Sequence, residues 1–333
     1  MRKVLSFAFI GVLAAEVLIL GQGGDAAKVL AAAREALGGE KKLAAVTSLT
    51  ATGQNARSNG QASQTSTSGE FEMALVLPDK YMRKDVIGNF NGQSLARTSG
   101  FNGDALVETM DMPQMGGGGM VQVFRSGGPG GMTSFGPGAA APTPEQKAEI
   151  QKAGVLSAKQ DFARMTLGMF VTSFDTYPLQ FTLAGTAESP DGKADIIEVK
   201  GAGDFAAKLF IDQKSHVPLM LSWMAKEPIS MSRTMGDGGQ SSSAGGATVT
   251  TFGAGQARPN ITPEEMQQQM KEAQAKAKTV EYRVFYSEYQ NVEGIKLPTK
   301  FSRSIAGNAS EELTIEKYKL NPKVDPKKFD IAK

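Results

Sequence analysis

Cysteine is absent from the 333 residues, and histidine occurs once, at position 216. Without a thiol there is no disulfide framework, thiolate metal site, cysteine nucleophile or acylated N-terminal cysteine. With His216 alone, a histidine-cluster metal site is excluded, and histidine-based catalysis has a single candidate. An excess of one charge is also lacking: 36 Lys and Arg stand against 34 Asp and Glu, a formal net charge of +2. That balance argues against a nucleic-acid partner, which needs a clustered basic face.

A long apolar run occurs once, over residues 4–20. It follows Met1-Arg2-Lys3, is interrupted by Glu16, and precedes Gly21-Gln22-Gly23-Gly24. This layout fits a secretory signal peptide, cleaved near residues 21–24, or an uncleaved membrane anchor. Residues 1–24 are assigned to that segment, and the rest of the chain is expected in the periplasm. Residues 25–333 are read as a single domain.

Period-2 alternation dominates that domain. In residues 208–223, KLFIDQKSHVPLMLSW, Leu209 and Ile211 alternate with Lys208, Phe210 and Asp212. After the polar turn at residues 213–215, Val217, Leu219, Leu221 and Trp223 form a second series. Successive strand side chains point to opposite faces, so this is a hairpin with one apolar face. The pattern returns at residues 49–57, 71–77, 81–87, 93–107, 178–185, 195–200, 280–289, 295–305 and 311–320. Asn102-Gly103 and Ser189-Pro190-Asp191-Gly192 are strong turn signals between such runs. In residues 280–289 both faces are apolar, Tyr282, Val284 and Tyr286 on one and Phe285 and Tyr289 on the other, so both need cover.

Helical spacing is rarer. Val29, Leu30, Ala33 and Leu37 mark a helix ended by Gly38-Gly39. Thr143-Pro144-Glu145-Gln146 reads as a helix start, and Ile150, Val155, Phe162, Met165, Leu167 and Met169 carry the helix to about residue 170. A third, Gln-rich helix is expected after the capping box at residues 262–265. Two stretches, near 110–142 and 230–261, are dense in Gly with Pro, Met or Ser, and are read as flexible insertions that cannot bury enough apolar surface to order.

Chemistry is sparsely signalled. Residues 201–206, GAGDFA, match G-x-G-x-x-A, but the following AAKLFIDQ alternates like a strand, so a hairpin turn replaces a dinucleotide site. Asp212, Ser215 and His216 share a turn that offers no nucleophile elbow, which makes His216 a solvated turn residue. Met110, Met112, Met115 and Met120 are soft donors without a His or Cys partner. No enzyme, cofactor or metal is inferred.

Four segments together resemble a known family: FEMALVLPDKYMRKD at 71–85, LFIDQKSHVPLMLSW at 209–223, YSEYQNVEGIKLPTKF at 286–301 and LTIEKYKLNPKVDPKKFDI at 313–331. Their order resembles the outer-membrane lipoprotein-sorting proteins of the LolA/LolB-like superfamily. The resemblance implies a mainly β fold with some α: an incomplete antiparallel β-barrel, a half-barrel sheet covered by a few helices over an apolar cavity for acyl chains. The helix ending near residue 170 would plug it, and Arg83 falls where the family carries a basic residue. The lining expected on this basis is Phe71, Met73, Leu75, Arg83, Phe181, Leu183, Leu209, Ile211, Leu219, Leu221, Trp223, Val284 and Tyr286. The implied partner is a lipid or acylated protein, with transient membrane contact. The alternative is a non-catalytic envelope interaction protein with a filled core, contacting other envelope proteins.

Overall fold

The computed structural model describes residues 23–58, 67–90, 93–111, 125–127, 131–133, 143–227, 241–244, 247–250, 272 and 275–330. The described residues open with α1 (Gly23–Leu37) and α2 (Glu40–Ala44), then run through β1 (Ser48–Arg57), β2 (Thr67–Val76), β3 (Lys80–Phe90), β4 (Gln93–Asn102) and β5 (Ala105–Asp111). A short hairpin, β6 (Arg125–Gly127) and β7 (Gly131–Thr133), precedes α3 (Pro144–Phe170). Next come β8 (Gln180–Ser189), β9 (Gly192–Gly201), β10 (Phe205–Asp212) and β11 (Pro218–Lys226). A second short hairpin, β12 (Ser241–Ala244) and β13 (Ala247–Thr250), leads to β14 (Thr279–Val292), β15 (Ile295–Ile305) and β16 (Asn308–Leu320).

Twelve of these strands form one antiparallel sheet in the order β5-β4-β3-β2-β1-β16-β15-β14-β11-β10-β9-β8. Each strand pairs with its sequence neighbour, except where β1 closes on β16 and β11 on β14. The sheet does not close on itself: β5 and β8 are its edges. It is the open half-barrel with helical cover that the resemblance implies. In-register residues of antiparallel strands share a face. The inner face can therefore be followed from Leu49, Ala51 and Gly53 on β1 to Leu75, Met73 and Phe71 on β2, and to Tyr81, Arg83 and Asp85 on β3.

The helices fill that inner face. Ala26, Leu30, Ala33 and Leu37 make one stripe of α1, all buried, and α1 packs on β8 and β15. α3 crosses the concavity, touching β4 and β5 on one side and β11 and β15 on the other. The outer face is covered near β2 and β3, where Phe329 of a closing 3-10 turn (Pro326–Phe329) buries against Ala74 and Met82.

The insertions expected near 110–142 and 230–261 fall mostly outside the described residues. The parts that are described hold the two short hairpins. The helix expected from residue 262 also lies largely outside them.

Candidate functional site

The inner face has two zones, and α3 reaches both. The first is an apolar floor, against which the last three turns of α3 are sunk. Phe162, Ala163, Leu167, Met169 and Phe170 are all buried, whereas the first turns are exposed. Phe162 meets Phe101 edge-on at 5.5 Å, and Tyr81 and Phe174 at 5.9 and 5.5 Å. The Tyr286 hydroxyl donates to the Arg164 carbonyl at 2.5 Å, and the Tyr289 hydroxyl lies 3.1 Å from Gly168 O and 2.8 Å from Pro218 O. Gly168 O belongs to the last turn, whose carbonyls have no partner within the helix. Glu288, at φ 54°, separates these tyrosines. Both hydroxyls consequently reach α3, and the strict alternation that put Tyr289 on the opposite face from Tyr286 does not hold. Burial pushes the phenols of Tyr286 and Tyr289 upward, keeping them neutral donors.

Arg164 is the one cation in the buried part of α3. Its guanidinium lies 4.6 Å from the Trp223 ring centroid and 5.1 Å from that of Phe205. Nη1 donates to Asp161 at 2.8 Å. Burial lowers the Arg164 pKa, Asp161 opposes that, and the charge of Arg303 adds to it.

The second zone is ionic, and it continues the same inward parity toward the end of the sheet. Arg57, Arg83, Asp85, Arg303 and Glu311 meet there from β1, β3, β15 and β16. Arg83 Nη2 lies 2.6 Å from Glu311 and 2.7 Å from Asp85. Arg57 bridges the same two carboxylates at 3.1 and 3.2 Å. Asn55 donates to Asp85 at 2.7 Å, and Arg303 lies 3.7 Å from Glu311. Burial alone would raise the Glu311 carboxyl; Arg83, Arg303 and Arg57 outweigh it and hold it far below the usual range. Arg83 also sits over the Phe71 ring at 5.6 Å, where the two zones meet.

Of the residues expected to line a cavity, Phe71, Met73, Leu75, Leu209, Ile211, Leu221, Trp223, Val284 and Tyr286 share one buried cluster, with Phe181 and Leu183 partly buried against it. Arg83 stands in the ionic zone. Leu219 is the correction: it is 39% exposed. Phe210 pairs with Met220 but Ile211 with Pro218, so Leu219 is the extra residue of a bulge. A bulge re-aims its side chain and breaks the parity on which the sequence reading relied. Leu219→Ala is accordingly expected to change stability by less than about 0.5 kcal/mol, whereas Leu221→Ala, fully buried, should cost about 2–5 kcal/mol. Urea unfolding of the two variants measures the difference.

The G-x-G-x-x-A stretch is a turn, with Gly203 and Asp204 at φ 63° and 57° between β9 and β10. His216 is an exposed turn residue at φ 56°, beside Ser215, whose hydroxyl donates to Asp212 at 2.6 Å. The sequence reading singled out Arg83 from the ionic zone and missed Arg57, Asp85, Glu311 and Arg303. It also missed Arg164. The available signal was a charge at inward parity on a strand, and a lone cation in an apolar helical stretch.

Fold and site together define an open antiparallel half-barrel whose concave face is occupied by its own helix. No protein-family model and no curated protein matches the sequence. Among solved structures the chain is similar to a LolA superfamily protein from Nitrosomonas europaea, at 10% identity and a TM-score of 0.43, covering 92% of this chain and 97% of that one. It is similar to a protein described as an outer membrane lipoprotein-sorting domain from Vibrio parahaemolyticus, at 10% identity, TM-score 0.44 and the same coverages of 92% and 97%. A DUF1329 family protein from Desulfovibrio piger matches at 8% identity and a TM-score of 0.42, again covering 92% and 97%.

Proposed function

We propose that this is an exported envelope protein that binds the acyl chains of a lipid or an acylated protein on the apolar floor, with the C-terminal end of α3 giving way. One observation carries the reading. Beside α1, the element that covers the middle of the concave face is half of a single helix, seated by tyrosine hydroxyls and a stacked arginine instead of by strand pairing. An acyl chain can take the positions of Leu167, Met169 and Phe170 on that floor. Each methylene transferred from water contributes about 0.8 kcal/mol, so one chain suffices for binding without polar chemistry. The apolar run at residues 4–20 supports export to the periplasm. Among the described residues no helix is long and apolar enough to cross a membrane.

The filled interior favours a second reading, an envelope interaction protein whose floor is ordinary core. Native mass spectrometry of protein purified without detergent, with lipid extraction of the same sample, separates the two. Co-purifying acylated molecules at near one per chain are expected. A clean apo mass, with no uptake of a neutral apolar dye such as N-phenyl-1-naphthylamine, leaves only the second reading.

A further inference from the structure

Two buried hydrogen-bond donors stand beside each other beneath α3 without an acceptor: Nε of Arg164 and Nε1 of Trp223. Both residues are more than nine-tenths buried, at 6% and 8% exposure. The guanidinium carbon is 4.6 Å from the centre of the Trp223 ring, so the two unpaired donors share one neighbourhood. Neither side chain can satisfy the other, because guanidinium and indole are donors only. Buried donors in native proteins are almost always paired, and each exception calls for an explanation. The missing complement is an oxygen acceptor, and beside a guanidinium it is best supplied by an anion.

The surroundings agree in sign. Arg303 lies on the same inner face, in register with Val284, and its side chain is 35% exposed. The carboxylate that now holds Arg164 is Asp161, whose side chain is 51% exposed. Asp161 therefore marks the solvent side of the Arg164 guanidinium, at Nη1, and it is the partner an incoming anion can replace. Below Trp223 the inner face continues through Leu221, Leu209 and Val284, all buried.

The geometry points to an anion subsite made by Arg164 and Trp223, with the charge of Arg303 nearby, which takes the head group of a single-chain anionic amphiphile while α3 stays seated at Arg164 and the chain lies on the part of the floor that residues 167–170 give up. This rests on the lipid-binding reading and narrows it to a ligand class. A carboxylate or phosphate oxygen displaces Asp161 from the guanidinium and accepts from Nε and Nε1. Both head groups offer the same chemistry, and the test tells them apart.

Dodecanoate, dodecyl phosphate and dodecanol are compared by displacement of N-phenyl-1-naphthylamine from the full chain. At least one anion should bind about tenfold more tightly than the alcohol, the scale of a charge-assisted hydrogen bond. The preferred anion names the head group as carboxylate or phosphate. Asp161→Asn should tighten anion binding about two- to fivefold, the effect of removing a partly exposed competitor, and leave dodecanol unchanged. Arg164→Gln should erase the preference for the anion while dodecanol still binds. Equal binding of all three compounds overturns the subsite and leaves the lipid-binding reading standing. Dye that never binds removes both. If Arg164→Gln does not fold, Asp161→Asn decides: anion binding unchanged or weakened in that variant overturns the subsite.

Discussion

Glu311→Gln is expected to cost about 3 kcal/mol at neutral pH, because removing one partner from a buried charge cluster leaves the others uncompensated. For a domain of this size that lowers the melting temperature by about 6–12 °C. The carboxylate is only 12% exposed, and it neutralises three guanidiniums, those of Arg57, Arg83 and Arg303. Asp85 remains in the variant, but it already accepts from Arg57, Arg83 and Asn55. A single carboxylate then faces three cations that the folded sheet holds together. Exposed pairs elsewhere, such as Lys193 with Glu188 at 59% and 72% side-chain exposure, should matter little by comparison.

The same carboxylate gives the effect a pH signature. The folded pKa of Glu311 is depressed, so the unfolded chain binds the proton first as pH falls. Stability from this group is therefore fully present above the unfolded value, near 4.3, and is lost as pH drops toward the folded one. The gap between native protein and Glu311→Gln should shrink by about 1.4 kcal/mol per pH unit below that point. Urea titrations at pH 7, 5 and 3.5 read it directly. A gap that stays constant with pH would show that packing, not charge, sets the loss.

The sheet was legible because its grammar is local. Phe71, Met73 and Leu75 show their common face within five residues, and Asn102-Gly103 shows its turn within two. The ionic zone is built over far greater separations: 228 residues part Arg83 from Glu311, and 254 part Arg57 from it. Nothing near Glu311 distinguishes it from Glu312, its neighbour on the other face. Extending the inward series Leu49, Ala51, Gly53 two steps further reaches Asn55 and Arg57, so parity contained the hint, but only the pairing of β1 with β16 supplies the partner. Leu219 shows the opposite limit. Its parity was clear, and a bulge of one residue overruled it. The Arg164 subsite needed a helix laid across the sheet, which no strand pattern specifies.

Gly168→Ala sets two magnitudes against each other. Alanine is the better helix former by about 1 kcal/mol, so helix propensity alone predicts a more stable protein. The added methyl would fall 2.4 Å from two ring carbons of Tyr286. That ring cannot swing aside: it is 2% exposed, meets Phe301 edge-on at 5.7 Å, and is tied through its hydroxyl to α3 itself. The helix must lift instead, which stretches the Tyr286 and Tyr289 contacts and draws Arg164 off Trp223. Overpacking costs about 1–3 kcal/mol and should win, for a net loss of up to about 2 kcal/mol. The two functional readings then part on dye uptake. If α3 is a plug over a binding floor, a helix seated less firmly opens that floor more often. A neutral apolar dye should then bind several-fold more tightly in the variant than in the native chain, because the population of the competent state multiplies the apparent affinity. If the floor is simply core, the variant loses the same stability and takes up no dye. A gain in stability would mean that α3 sits further from Tyr286 than the 2.4 Å approach requires, and the close seating from which the plug is argued would fail with it.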